Sequence, residues 1–303
     1  MERKKEAIGT ILAIVTAIIS GFSIFANKFF IVNLDATVFT AIRAIIIGVA
    51  FLVLSFIFGS WKLKENKKIN WIYLLIIGII GGGFAFLLFF NGLKLTSAGR
   101  AGFFHKTLPL YVTVLAFFFL KEKINIKQTM ALLLMIVGTL VMVSSQIPFG
   151  EMWLNPQTGD LLVIGATILW AIENVVAKKA MIKGEHNFVV SFARMFFGGV
   201  VLFGIALITN KIGILVELSS IQWMYILIST LMLFGYVLTY YWAIRYINVS
   251  KAASILLISP IITLIAGMFL LGEPAPLLQL IGSAIILIGA YFIINVRSEF
   301  VRI

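Results

Sequence analysis

A glutamate in the middle of a membrane-length apolar run is the residue of this chain best placed to do chemistry. Glu173 stands in TILWAIENVVAKKA, Thr167 to Ala180. A carboxylate at that depth costs about 2.5–3.5 kcal/mol on insertion scales. A cation, a proton or water must offset it, so its natural chemistry is to hold an ammonium group or exchange a proton. Lys106, with His105 beside it, lies in another apolar run and is suited to holding a carboxylate. Glu173 and Lys106 are therefore expected to face each other across a cavity. They would either serve the two ends of a cargo molecule or form a fixed ion pair that locks two helices. A buried ion pair is often no more stabilising than apolar packing, which favours use over a lock.

Further groups surround these. Asn174 and Asn27 can add hydrogen bonds, and Trp170, Tyr236 and Tyr240 are aromatic residues at depths where a cavity is expected. Tyr236 and Tyr240 are four apart and so share a helix face. Buried aromatics also serve plain packing inside a bundle.

Other chemistries are excluded. With no cysteine there is no disulfide, thiolate metal site or cysteine nucleophile. Two histidines, His105 and His186, with few carboxylates in the apolar runs cannot close a metal site. No GxxxxGK phosphate loop is present, so no ATP drive is encoded and no cofactor is implied. An intramembrane enzyme would need at least a nucleophile and base or a metal dyad, and the sequence offers one deep carboxylate with no second acid close to it. Gly81, Gly82 and Gly83 follow no strand and read as close helix packing or a hinge.

The elements that must position these groups are read from composition. Of 303 residues 61% are hydrophobic and 12% charged, with a mean hydropathy of +1.10. Soluble domains carry about 25% charged residues, so the solvent here is lipid. Ten runs reach the roughly 20 residues that a spanning helix needs: 7–26, 36–58, 72–92, 97–120, 128–145, 159–181, 188–208, 222–244, 249–271 and 277–295. They lack the alternation of barrel strands, so an all-α integral membrane protein is predicted. The first run continues too far for a cleaved signal peptide.

Basic residues set the direction. With the N-terminus inside, the inner segments hold seventeen of the 24 basic residues, among them Lys62, Lys64, Lys67, Lys178 and Arg302. The outer segments hold four: Lys28, Lys94, Arg100 and Lys211. This predicts a multi-pass protein of the cytoplasmic membrane with both termini cytoplasmic. The bias also accounts for most of the +12 net charge, so nucleic acid need not be a partner.

The chain also contains itself twice, which is the first thing to seek in any sequence. Lys28 returns as Lys178, Arg43 as Arg194, Pro109 as Pro260, Glu122 as Glu273 and Gln128 as Gln279, 150 or 151 positions on. Copies are expected at 1–150 and 151–303. Each has five spans, an odd number, so the second is inverted relative to the first, a recurring plan of transporters. Pro109 and Pro260 interrupt the helical ladder mid-membrane and read as a pivot or cavity surface, or as simple kinks. Arg43 and Arg194 read as snorkelling residues or ties to neighbouring carbonyls, Glu122 and Glu273 as caps or gates. Gly9, Ala13, Ala17 and Gly21 form a small-residue stripe for close helix approach.

The fourth span of each copy, TSAGRAGFFHKTLPLYVTVLAFFFLKEK (Thr96–Lys123) and NVSKAASILLISPIITLIAGMFLLGEP (Asn248–Pro274), has a central proline and ends in an apolar run with a glutamate. This resembles the EamA-type transporters of the drug/metabolite transporter superfamily, along nearly the whole chain. The resemblance implies ten helices, a central cavity and movement of small metabolites, often outward. His105 and Lys106 stand where the second copy has Leu256 and Leu257, a departure that points to this protein's own cargo. The expected function is secondary transport of a small polar metabolite, an amino acid first, by a monomer or homodimer in the bilayer, with a proton as candidate coupling ion. Export of organic cations is the alternative within transport, and a membrane scaffold or lipid-handling protein the alternative outside it.

Overall fold

The computed structural model describes residues 2–30, 34–61 and 68–297. Lys62, Lys64, Lys67 and Arg302 of the charge count lie outside the described residues. Among the described residues ten helices are long and apolar enough to cross a membrane: α1 (Arg3–Phe30), α2 (Ala36–Ile57), α3 (Trp71–Lys94), α4 (Ala98–Leu120), α5 (Ile126–Val143), α6 (Thr158–Ile182), α7 (Asn187–Ile208), α8 (Ser220–Tyr246), α9 (Val249–Leu271) and α10 (Leu277–Asn295). No strand occurs among the described residues. Helix starts are capped from the sequence. Asp35 accepts the amides of Thr37 and Val38, and Ser219 forms a capping box with Gln222.

The helices of the first copy take their main partners from the second. α1 lies along α8 and α9, α2 against α7, α3 against α6 and α7, α4 against α6, and α5 along α10. The stripe on α1 explains its contacts. A β-carbon at Gly9 would come within 2.8 Å of the Tyr246 side chain on α8, and one at Gly21 within 2.5 Å of Ile262 on α9. Ala13 and Ala17 between them are fully buried.

Both described chain ends share one face. Lys251 Nζ reaches Glu6 near the start of α1 at 3.3 Å and the Val296 carbonyl just past α10 at 2.7 Å. This is the terminal face; the opposite one is the far face.

Three helices depart from the unbroken runs expected. α3 is π-helical from Ile76 to Phe84, a widened turn that often marks a functional position. Its three glycines meet α6 and α7: Gly81 the Glu173 side chain, Gly82 the Arg194 carbonyl and Gly198, Gly83 Val201. Any side chain at Gly81 would collide with Glu173, so this cluster is close packing. α4 breaks at Thr107 into Ala98–Lys106 and Leu108–Leu120, ahead of Pro109. α9 passes through a 3-10 turn at Leu256–Ile258, ahead of Pro260. Each break falls where the proline withholds its amide.

Candidate functional site

Glu173 is fully buried on α6. Its Oε1 accepts the Tyr241 hydroxyl from α8. Its Oε2 lies 3.9 Å from Arg194 Nη1 on α7. Arg194 Nη1 is also 3.5 Å from the Tyr241 oxygen. Glu173 Oε2 and Arg194 Nε make no hydrogen bond.

The expected pairing of Glu173 with Lys106 is therefore corrected: the counter-charge is Arg194. α7 packs beside the π-helical stretch of α3 and delivers Arg194 to the carboxylate, whereas Lys106 Nζ turns to Ser259 Oγ on α9 at 2.7 Å. The reading of Arg194 as a snorkelling or carbonyl-bound residue is corrected with it. Arg43, its counterpart, has Ser23 where the second copy has Glu173, and so finds no acid among the described residues. Its guanidinium sits 4.6 Å from the Phe39 ring centroid, and its Nε is unpartnered. Tyr241 was missed by sequence reasoning, which followed the Tyr236–Tyr240 face. The available signal was that Tyr241 shares a run with them and offers a hydroxyl where Glu173 needs a donor.

Tyr236 and Tyr240 stack with ring centroids 5.9 Å apart, and the buried Tyr240 hydroxyl has no partner. Asn174 donates to the Trp170 carbonyl at 2.7 Å, leaving its Oδ1 unpartnered. Trp170 Nε1 donates to the Gly81 carbonyl at 3.0 Å, within the π-helical stretch. The His105 ring lies among Trp170 and Phe89, at 5.0 and 5.4 Å between centroids. Asn27 Oδ1 accepts the Ser229 hydroxyl at 2.6 Å and ties α1 to α8. Glu173, Asn174, Trp170 and the tyrosines thus share one region, while Lys106 and Pro260 belong to another.

That second region is a cleft of about 360 Å³ at the far face, lined by Lys28, Gly102, Lys106, Gln146, Pro260 and Glu273 among others. Lys106 enters it from the break in α4, Pro260 from the break in α9. Among the described residues no carboxylate lies within ion-pair distance of Lys106, whereas Lys28 and Glu273 pair at 2.9 Å at the rim. Glu173 does not line the cleft. Outside the spans, burial pushes the Asp35 carboxyl up. The Lys211 ammonium 2.6 Å away and the amides of Val38 and Thr37 outweigh that and hold it below the usual aspartate value. No group of acidic and histidine side chains among the described residues could hold a metal.

The EamA-like transporter family matches residues 7–144 and again 157–295. The uncharacterized transporter YoaV of Bacillus subtilis is 26% identical over 286 residues, covering 90% of this chain and 92% of its own. The uncharacterized transporter YyaM of the same organism is 28% identical, covering 80% and 78%. An uncharacterized transporter of Archaeoglobus fulgidus is 26% identical, covering 91% and 95%. A solved crystal structure shares the fold with a TM-score of 0.75 at 16% identity, over 95% of this chain and 98% of that one.

Proposed function

The chain belongs to the EamA-like transporter family, and from that premise we propose that it exports a small polar metabolite, an amino acid first, by secondary active transport. The observation that carries the cargo class is Lys106. Its ammonium lines a cleft of metabolite size and, among the described residues, has only a serine hydroxyl as direct partner. Lys106 is half-buried, and an ammonium partly withdrawn from water without an acid beside it is a ready site for an anion, a need that a cargo carboxylate meets. Lys28 is compensated by Glu273 in the same cleft, so Lys106 alone leaves the lining net positive and weighs against an organic cation as cargo.

Glu173 is a coupling site in this reading rather than a cargo contact. It is sealed from the cleft, and one carboxylate oxygen is left without a hydrogen bond. A proton there would change the charge balance with Arg194 and so couple to the packing of α6, α7 and α8. The basic bias supports cytoplasmic termini in a cytoplasmic membrane, and in that orientation the cleft opens outward. Alternating access then moves the opening to the terminal face.

Counterflow in proteoliposomes tests this, with an amino-acid and amine panel and the variants Lys106→Gln and Glu173→Gln. Exchange of an amino acid, weakened in affinity by Lys106→Gln and abolished by Glu173→Gln, is the expected outcome. Amino-acid exchange unaffected by Lys106→Gln overturns the cargo site. Exchange of quaternary amines alone returns the organic-cation alternative.

A further inference from the structure

Two pairs of repeated residues do different work at the two faces. At the terminal face Glu122, just past α4, is buried and caps the start of α9. It accepts Val249 N at 2.7 Å, Ser250 N at 3.3 Å and Ser250 Oγ at 2.6 Å. Beside it Lys178 on α6, also buried, donates to the last carbonyls of α8, Ile244 O at 2.5 Å and Ile247 O at 3.1 Å. An acid on orphan amides and an ammonium on orphan carbonyls are the matching charges for those helix ends. Together they stitch the terminal face shut.

The repeat specifies the equivalent stitches at the far face. Glu273 would cap Ala98 and Gly99 at the start of α4, and Lys28 would bind the carbonyls of Leu93 and Thr96 at the end of α3. Neither contact is made. Lys28 and Glu273 instead pair with each other at 2.9 Å, their side chains 62% and 48% exposed, across the mouth of the cleft that Ala98 and Gly99 line. The local backbones nevertheless match. Glu122 N and Glu273 N bond to the repeat-equivalent carbonyls of Ala116 and Gly267, each at 3.2 Å. Lys121 and Gly272 before them are both left-handed, with φ of 56° and 65°. What differs is whether the gate beneath the glutamate is closed or open.

We infer that Glu122 with Lys178, and Glu273 with Lys28, are alternating latches. Whichever face is closed has its glutamate and lysine spent on helix ends, and whichever is open has the two paired with each other. The inference concerns the gates and holds for any cargo. It also explains why this structure is open at the far face. Glu122 draws a third hydrogen bond from the Ser250 hydroxyl, while the equivalent position is Gly99 and offers none. The terminal-face latch is the stronger by one charge-assisted bond.

The natural chain has no cysteine, so single reporters label without background. Gly102→Cys reports the far-face cleft, where an added β-carbon meets nothing within 4 Å. Its repeat equivalent Ala253→Cys, fully buried here, reports opening of the terminal face. The rate of reaction with a charged methanethiosulfonate is read in nanodiscs, where both faces are accessible. Glu122→Gln and Ser250→Ala are each expected to slow labelling at 102 and to speed it at 253, changing the ratio of the two rates by about tenfold, the loss of one hydrogen bond to a charged group. Glu273→Gln is expected to do the reverse and slow labelling at 253. Opposite responses from two repeat-related glutamates support the latches. Equal responses, or none, overturn them. If Glu122→Gln does not fold, Ser250→Ala and the surface variant Glu273→Gln decide the matter. A merely superficial Lys28–Glu273 pair leaves labelling at 253 unchanged in the latter, and that result rejects the proposal.

Discussion

Glu173 and Arg194 compensate each other's charge without touching. The guanidinium nitrogen stands 3.9 Å from Oε2, beyond hydrogen-bond reach, while Tyr241 holds Oε1. Gly81 and Gly82 of the π-helical stretch press against these same two residues, and no side chain fills in around them. The pair is fixed in charge but keeps a free acceptor and a free donor, an arrangement that a proton or a water could exploit.

Glu173→Gln is expected to lose transport and to destabilise the protein by about 3–5 kcal/mol, because Arg194 is left as an uncompensated buried charge. Glu173→Leu combined with Arg194→Met is expected to recover the stability but not the transport. Thermal unfolding in detergent beside counterflow checks both. Transport restored in the double variant would make the pair a structural lock.

The adjacent tyrosines should respond differently to loss of the hydroxyl. Tyr241→Phe removes a donor to a charged acceptor and is expected to cost about 1.5–3 kcal/mol. Tyr240→Phe removes a buried hydroxyl without a partner and should be neutral or mildly stabilising. Equal losses from the two in the same unfolding assay would contradict the hydrogen-bond assignment.

Gly81→Ala is expected to cost about 1–3 kcal/mol by overpacking, since its methyl would meet Glu173. Gly102→Ala, which meets open space, should change stability little. Comparable unfolding temperatures for the two variants would mean that α3 can retreat from α6.

The Asp35–Lys211 pair gives a pH signature. The folded aspartate titrates lower than its ordinary value near 3.8. The contribution of the pair is therefore present above that value and disappears as pH falls through the lower, folded one. The stability gap between the natural chain and Asp35→Asn should be steady near neutrality and close only in acid below about 3.8. A gap that closes instead between pH 5 and 7 would point to another group.

Lys106→Gln is expected to weaken cargo affinity about tenfold or more, the scale of one charge-assisted hydrogen bond, without lowering stability, since a half-buried ammonium with no acid beside it is removed. Equilibrium binding and thermal unfolding on the same sample separate the two effects. Unchanged affinity would remove Lys106 from the cargo site.

Spans, repeat and the small-residue stripe were legible because lipid imposes them through composition and spacing alone. The asymmetry argument also picked out Glu173. It failed to find the partner because facing direction is set by which helices pack, and that is a long-range property. Arg194 was set aside as symmetric with Arg43, yet the same residue type does different work where Ser23 replaces the acid. The π-helical stretch was invisible for a related reason: three glycines permit it, but only the approach of Glu173 and Arg194 requires it.

The cross-copy pairing of helices bears on how the chain is made. α1 has its main partners in α8 and α9, about 190 residues later in synthesis. At 5–20 residues per second that is a wait of roughly ten to forty seconds. During it, Arg43, Lys106 and the hydroxyls and amides of α1 stand in lipid or in the insertion machinery without their final neighbours. Closure of α1 is thus a late event, and a ribosome that stalls before α8 leaves a fragment with the polar seam of α1 and the Lys106 ammonium unpartnered, a natural target for membrane quality control.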